Sequence, residues 1–273
     1  MRSELVIKEK QALTLIKSLD GLEPELAYSG GKDSDVILAL AQMSGIKFHP
    51  IYKMTTIDPP GTEAHVKSKG VEIRKPNKTF FEIIQQKGFP TRRARFCCQV
   101  LKEYKIRDKA ILGIRKHESV KRNKLYNEPS GCRIYADKSR CEQFYPILDW
   151  TNADVALFVN YYGIRCHQLY YGDDGEFDVS KRLGCMGCPL KSDNGKSDFI
   201  KYPKLVRQWI RNGKLFMQNH INARVHEKFG NVYDLFFYNI FCDSYNDYIL
   251  KTRGLFGRLD CKQWLEDYFK TDL

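Results

Sequence analysis

The sequence predicts an α/β fold, in which a parallel sheet carries helices on both faces, followed by a mainly helical C-terminal region. Short apolar runs typical of buried strands alternate with stretches of helical periodicity between residues 25 and 114. After Pro189 this alternation ends, and aromatic-rich segments with helical spacing continue to Leu273. With 42% hydrophobic and 13% aromatic residues among 273, the chain has enough apolar material for a packed core.

The elements are separated by residues that end helices and strands. Gly21 and Gly45 follow the first two apolar helical segments, and Pro59-Pro60-Gly61 ends the second strand. Thr151, with Asp154 three residues later, is typical of a helix start, and Gly163 ends that helix. Predicted helices before that point cover 3–18, 35–43, 62–69, 79–87 and 98–105, and predicted strands cover 25–29, 47–55, 71–74 and 109–114.

Two regions are expected, an α/β domain over 1–190 and a helical extension over 191–273. The mean hydropathy is −0.49, and no apolar run approaches the roughly 18 residues that a transmembrane helix needs. The first ten residues carry charges where a signal peptide is apolar. We therefore expect a cytoplasmic protein with no membrane partner.

The positive charge is concentrated in one stretch. The chain has 45 Lys and Arg against 33 Asp and Glu, a net charge of +12. Residues 74–124 hold 16 of these cations and only four of the acids, so this stretch accounts for the whole excess. Clustered cations repel one another unless an anion compensates them, which favours an anion-binding wall over a solvated basic face.

The most specific local motif lies between the first predicted strand and the next helix. It reads Ser29-Gly30-Gly31-Lys32-Asp33-Ser34. Two glycines allow a tight turn that approaches an anion closely, and the free N–H groups of the following helix favour phosphate. Lys32 adds a full charge, and the hydroxyls of Ser29 and Ser34 are potential donors. The motif predicts a phosphate-binding loop; the alternative is an ordinary Gly-Gly turn with a helix cap.

Asp33 is the one residue of this loop that does not favour phosphate directly. Its carboxylate suits either a Mg²⁺ ion bound with a nucleotide or the acceptor at a helix start. The loop also differs from the Gly-x-x-x-x-Gly-Lys-Ser/Thr motif of the large nucleotide triphosphatases, because the spacing before Gly-Lys is missing.

The loop resembles the PP-loop of the adenine-nucleotide α-hydrolases, which include ATP pyrophosphatases and sulfonucleotide reductases. Further stretches resemble the phosphoadenosine phosphosulfate (PAPS) reductase branch, in the order of that family. They are Arg95-Phe96-Cys97-Cys98, Gly113-Ile114-Arg115, Glu118-Ser119, Tyr145-Pro146 with Asp149-Trp150-Thr151, and Gly184-Cys185-Met186-Gly187-Cys188-Pro189. The resemblance covers residues 25–190 and not the last eighty or so. It implies a Rossmann-like sheet and chemistry at the α-phosphate of an adenine nucleotide, either ATP or PAPS/adenylyl sulfate.

The site residues expected from this resemblance lie in the loop and after the strand that ends near Ile114. Arg115 and the residues that follow it are expected at the carboxyl edge of the sheet, where ligands of open α/β sheets bind. Lys32 and Arg115 are predicted to be catalytic through charge stabilisation. A solvated turn with a Glu–Arg pair is the alternative interpretation of the second group. The predicted nucleotide-binding residues are Ser29, Gly30, Gly31, Lys32, Asp33, Ser34, Arg115, Glu118, Ser119 and Arg122.

Nine cysteines need an explanation, because a reducing compartment disfavours disulfides. Cys97-Cys98 and Cys185-x-x-Cys188 are the two groupings with ligand-like spacing. The resemblance to adenylyl-sulfate reductases implies that these four hold a [4Fe–4S] cluster; zinc and unliganded thiols are the alternatives. Cys132, Cys141 and Cys166 have no partner spacing and are predicted to be buried thiols.

Three functions remain open at the level of the sequence. The first is ATP-dependent adenylylation for sulfur transfer, with Mg²⁺, and with a nucleic acid or a sulfur-donor protein as partner; the excess basic charge favours it. The second is sulfonucleotide reduction, although the Glu-Cys-Gly-Leu-His tail of assimilatory reductases is missing and Cys261 is the nearest candidate thiol. The third is a non-catalytic module that binds nucleotide or nucleic acid.

Overall fold

The computed structural model describes residues 3–220, 224–254 and 257–273. These residues form two compact units that interleave along the chain. Unit 1 consists of 3–54, 58–75 and 102–184, and unit 2 consists of 55–57, 76–101 and the described residues from 185 to 273. The boundary expected after residue 190 separates the family-like region from the extension, and it stays a prediction. The compact units assign two earlier segments, 55–57 and 76–101, to unit 2.

Unit 1 contains a six-stranded sheet in the order β3-β2-β1-β4-β6-β5. Neighbouring strands are parallel except for the last pair, because β5 runs antiparallel to β6 as the second arm of a hairpin. A hairpin needs only a short turn, whereas each parallel pair requires a longer crossover. The strands are β1 (Glu25–Tyr28), β2 (His49–Lys53), β3 (Glu72–Arg74), β4 (Lys109–Leu112), β5 (Ser130–Ile134) and β6 (Arg140–Phe144).

The core of unit 1 joins the sheet to the helices that connect its strands. Successive residues of a strand point to opposite faces, so Leu26 and Tyr28 of β1 enter the core together. Val36 and Leu40 of the following helix pack in the same core. The α-helices of unit 1 are α1 (Ser3–Lys17), α2 (Lys32–Ser44), α3 (Thr62–Ser68), α6 (Val120–Leu125) and α7 (Asn152–Tyr161).

Unit 2 is mainly helical and has an aromatic core. Trp209 packs against Phe80, Phe89 and Phe199 at ring-centroid distances of 5.2–5.7 Å, within the range in which aromatic pairs attract. Its elements are α4 (Phe80–Lys87), α5 (Phe96–Leu101), α8 (Lys196–Lys201), α9 (Pro203–Asn219), α10 (Arg224–Lys228), α11 (Val232–Phe241), α12 (Tyr245–Thr252), α13 (Cys261–Phe269) and the two-residue strands β7 (Arg253–Gly254) and β8 (Gly257–Arg258).

The predicted fold class is confirmed: a mostly parallel sheet with helices is followed by a helical C-terminal region. The helix predicted over 98–105 is displaced, because α5 ends at Leu101. After Leu101 the backbone carbonyl groups bond to side chains distant in sequence. The carbonyl of Tyr104, for example, accepts a hydrogen bond from Nζ of Lys53 at 2.7 Å. Among the helices of the described ranges, none has the length and apolarity needed to cross a membrane.

Candidate functional site

The predicted phosphate loop connects β1 to α2, as expected from the sequence. Gly30 has a φ of +77°, a left-handed conformation that favours glycine. Gly31 precedes the first helical residue, Lys32, in an extended conformation. Because glycine has no side chain to cap the helix, the N–H groups of the first turn are available to an external acceptor.

The loop lies where ligands of open α/β sheets bind. β1 pairs with β2 on one side and with β4 on the other, so the connections after β1 and β4 leave in opposite directions and open a crevice at the carboxyl edge. Gly113 follows β4 at this point. A Cβ on Gly113 would lie 2.8 Å from the carbonyl oxygen of Asp33, so the close approach of the two segments requires glycine.

Lys32 is a buried cation at the base of this crevice. It is 4% exposed, its Nζ donates to the carbonyl oxygen of Lys181 at 3.2 Å, and it lies 5.2 Å from the centre of the Tyr170 ring. Burial lowers the pKa of Lys32, the carboxylate of Asp33 raises it, and Arg115 and Arg182 lower it further. A bound anion would restore the charge compensation that burial removes.

Arg115 is placed differently from the expectation. Its guanidinium is 1% exposed and donates to Oδ1 of Asp33 at 2.7 Å, to the carbonyl of Trp150 at 3.2 Å and to Oδ1 of Asn152 at 3.0 Å. It does not belong to the described residues that line the crevice. Arg115 therefore orients Asp33, and its action on substrate stays a prediction.

Glu118 and Arg122, predicted together, do line the crevice. Arg122 forms an ion pair with Oε2 of Glu118, and Arg182 reaches Oε1 of the same carboxylate at 3.4 Å. Burial lowers the pKa of Arg122. One carboxylate thus gathers two guanidinium groups on the wall of the crevice, an arrangement suited to a phosphate.

Arg182 is a site residue that the sequence analysis missed. It lies just before Gly184-Cys185, within the stretch that carries the family resemblance, where the cysteine spacing is the most prominent feature. The basic pair Lys181-Arg182 was the available signal.

The serines of the predicted site have local roles. Oγ of Ser29 donates to Oγ of Ser34 at 3.2 Å, and Ser34 donates to the carbonyl of Gly31 at 2.7 Å. Ser119 caps α6, where its hydroxyl accepts from the N–H of Arg122 at 3.2 Å. The two loop serines line the crevice, whereas Ser119 is not among the described residues of its wall.

The crevice has a volume of about 470 Å³, within the range of small-molecule sites. From the phosphate loop it continues along one face of the sheet to Glu25 and Lys53. These two form a largely buried ion pair at 3.2 Å. The site therefore has a cationic end and a second polar end across the strands.

The four predicted cysteine ligands all belong to unit 2. Cys97 and Cys98 lie on α5, and Cys185 and Cys188 flank a turn in which Gly187 has a φ of +67°. The pKa of Cys97 is raised by the hydrogen bond with Cys98, by burial, and by the charges of Cys98, Cys185 and Cys188, so the four thiols share one neighbourhood. Within the described residues, no three His, Cys, Asp or Glu side chains are placed to hold a metal ion.

The remaining cysteines correct one expectation. Cys141 and Cys166 are buried, as predicted, but Cys132 is exposed. Cys132 lies on β5, which is an edge strand with four of its five residues exposed, so a cysteine there has no core to enter.

Residues 23–191 match the model of the phosphoadenosine phosphosulfate reductase domain. The chain belongs to this family. The match includes the phosphate loop, the residues that follow β4 and all four predicted cysteine ligands, and it ends shortly before α8. The family prediction made from the sequence motifs is confirmed.

Two curated relatives are themselves uncharacterized proteins. One, from Methanocaldococcus jannaschii, is 29% identical over 226 residues, which cover 74% of this chain and 52% of that protein. The other, a 37.8 kDa protein of Escherichia phage 186, is 30% identical over 222 residues, which cover 68% of this chain and 61% of that protein. The chain thus spans about half to three fifths of the length of these relatives.

Among solved structures, the chain is similar to the FMN adenylyltransferase of Candida glabrata in complex with FMN and an ATP analogue. The identity is 18%, the TM-score is 0.42, and the alignment covers 66% of this chain and 63% of that chain.

Proposed function

We propose that this PAPS reductase-family chain binds ATP in the crevice after β1 and transfers its adenylyl group in a sulfur-transfer reaction. The observation that carries the proposal is the buried Lys32 at the start of α2, with its lowered pKa, beside Arg122 and Arg182. A cation kept from water next to free helix N–H groups favours a polyphosphate ligand. Family membership adds the expectation of an adenine nucleotide.

In this proposal an oxygen of the acceptor attacks the α-phosphorus of ATP. The bond from that phosphorus to the bridging oxygen breaks, pyrophosphate leaves, and the acceptor carries AMP until a sulfur nucleophile displaces it. Lys32 and the loop N–H groups stabilise charge on the phosphates, and Arg115 holds Asp33 in place. Mg²⁺ bound with ATP would neutralise phosphate charge; it commonly uses one or two carboxylates with substrate phosphates, and Asp33 is the loop carboxylate available.

For the acceptor we favour a nucleic acid; a sulfur-donor protein would be the partner that supplies the sulfur nucleophile. Several cations of the basic stretch are occupied: Lys105, Lys109 and Lys116 pair with Asp108, Glu142 and Asp149. Lys121 and Lys124 of α6 form no ion pair with any described residue, and α6 adjoins the crevice through Arg122. Unpaired cations beside a phosphate site suit a backbone of repeated phosphates.

A [4Fe–4S] cluster on Cys97, Cys98, Cys185 and Cys188 is part of the proposal, with zinc as the alternative occupant. The donor set fits by its chemistry, because four thiols in one unit match the ligands of such clusters. Their present positions do not form a finished ligand set, so binding would require the thiols to converge. When bound, the cluster would supply electron transfer.

Sulfonucleotide reduction is the second candidate, and it is favoured by the reductase family itself. This reaction needs a nucleophilic thiol, and the nearest candidate, Cys261, is buried. Cys261 is 3% exposed in α13, and burial together with the hydrogen bond to Asp234 raises its pKa. A nucleophile needs an accessible thiolate, so this reaction would depend on a thiol from a separate reductant.

The deciding experiment is an anaerobic incubation with ATP or with PAPS, followed by analysis of the nucleotide products. AMP and pyrophosphate formed with single-stranded or duplex DNA or with RNA would support adenylylation. If adenosine bisphosphate and sulfite form from PAPS with thioredoxin, the activity is sulfonucleotide reduction and not adenylylation. Nucleotide binding with neither product would leave a non-catalytic module.

A further inference from the structure

The phosphate loop is bracketed by two residues that are hydrogen-bonded to each other. Tyr28 ends β1 directly before the loop, and Asp35 lies in the first turn of α2 directly after it. The hydroxyl of Tyr28 donates to Oδ1 of Asp35. The two ends of the loop are therefore joined by side chains as well as by the backbone.

His65 of α3 completes this cluster. Its Nε2 lies 3.1 Å from both carboxylate oxygens of Asp35 and 3.0 Å from the hydroxyl of Tyr28. We call Tyr28, Asp35 and His65 the stem cluster. The side chain of Asp35 is 0% exposed, so these contacts replace the water that the carboxylate has lost.

Two further groups face Asp35 from neighbouring segments. The thiol of Cys166 hydrogen-bonds to its carboxylate, and Nζ of Lys69 lies 3.9 Å from Oδ1. A negative charge directly behind a phosphate site opposes phosphate binding unless nearby groups offset it. The donors and the Lys69 cation provide that offset.

Two members of the stem cluster, Asp35 and His65, act from behind the loop. Asp35 and His65 are not among the described residues of the crevice wall, to which Tyr28 does contribute. Any effect of Asp35 or His65 on a ligand in the crevice must therefore pass through the loop. A loop with two adjacent glycines samples many conformations unless its ends are fixed, and fixing them lowers the entropic cost of binding.

We propose that Tyr28, Asp35 and His65 are positioning residues that fix both ends of the phosphate loop, and that affinity for phosphate-bearing ligands depends on their mutual contacts. The inference rests on the proposed nucleotide function. It extends that function by assigning a role to the side-chain contacts that join the two ends of the loop.

The test compares Tyr28→Phe with Tyr248→Phe. Both variants remove one buried hydroxyl; that of Tyr248 accepts from Arg258 at 2.6 Å in unit 2. Calorimetry measures the Kd of ATP, pyrophosphate and adenosine, and thermal unfolding measures the Tm of each variant. We expect Tyr28→Phe to weaken ATP and pyrophosphate about tenfold, equivalent to about 1.4 kcal/mol, and to leave adenosine unchanged. Tyr248→Phe should lower only the Tm.

A second variant, His65→Gln, should reproduce the selective loss of ATP and pyrophosphate, which keeps the inference testable if Tyr28→Phe fails to fold. The inference is overturned if both variants bind ATP as the wild type does, or if adenosine weakens equally. A wild-type protein that binds none of the three ligands would overturn the proposed function as well, so the two failures are distinguishable.

Discussion

Arg115 donates from Nε to Oδ1 of Asp33 at 2.7 Å. This contact connects the segment after β4 to the phosphate loop after β1, across the point where the connections of the sheet diverge. The guanidinium is held from its other side by Asn152 and by the carbonyl of Trp150. One buried arginine thus fixes the loop carboxylate relative to the start of α7.

Replacing this arginine by lysine should damage the site although the charge remains. Lysine lacks the planar fork that serves three acceptors at once, so Arg115→Lys leaves buried acceptors unpaired at a cost of about 1–3 kcal/mol. We expect a lower Tm and at least about tenfold weaker ATP-dependent turnover. The matched control is Arg74→Lys, because Arg74 forms an exposed pair with Glu72 at 2.5 Å and is not among the described residues of the crevice wall; it should behave as the wild type. Equal activity of the two variants would argue against a role for the Arg115–Asp33 contact.

Gly113→Ala should disturb the contact between Arg115 and Asp33, because the added methyl group displaces the backbone of Asp33. The added methyl would lie 2.8 Å from the carbonyl oxygen of Asp33, closer than backbone atoms tolerate, and overpacking of this kind costs about 1–3 kcal/mol. We expect a lower Tm together with weaker ATP binding, measured by unfolding and calorimetry. Gly184→Ala is the control, because a Cβ there would have no neighbour within 4 Å. If Gly113→Ala binds ATP normally, the loop adjusts more freely than its packing indicates.

The parts of the site that sequence could predict are those encoded within one segment. Two glycines, a lysine and a following apolar helix identify the phosphate loop, and the order of strands and helices places it at the carboxyl edge. The roles of Arg115 and Arg182 depend instead on partners distant in sequence: Asn152 lies 37 residues from Arg115 and Glu118 lies 64 residues from Arg182. Local pattern identifies an arginine near the site but does not tell whether it faces ligand or protein.

The same dependence on the assembled fold explains why the sequence predicts the burial of some cysteines correctly and of one wrongly. Burial of Cys141 and Cys166 follows from their general preference for cores, whereas exposure of Cys132 follows from the edge position of β5. An antiparallel edge strand is a property of the assembled sheet, and no residue within 130–134 specifies it. Spacing likewise identifies a possible set of ligands without fixing the distances between their sulfur atoms.

ATP binding should begin to weaken at a lower pH than it would if Lys32 had the usual pKa of a lysine. Burial lowers the pKa of Lys32 below the usual 10.5, and only its protonated form attracts phosphate. A bound anion raises this pKa, so binding takes up a proton, and affinity falls as pH rises through the pKa of the free protein. Calorimetric Kd values between about pH 7 and pH 10 measure this decline. Lys32→Gln should bind more weakly and remove the decline; a decline retained in that variant would assign it to another group.

Anaerobic reconstitution with iron and sulfide should give a brown protein with about four irons per chain. Cys185→Ala removes one of the three thiols that surround Cys97, so we expect most of the iron and the visible absorbance to be lost. Cys132→Ala is the control, because that thiol is exposed in unit 1 and outside the group of four. Iron content and absorbance are measured alongside ATP binding, which depends on unit 1 residues and should persist in both variants. A wild-type protein that stays colourless and instead retains zinc would replace the cluster by a zinc site on the same four cysteines, and one that binds neither metal would leave them as thiols.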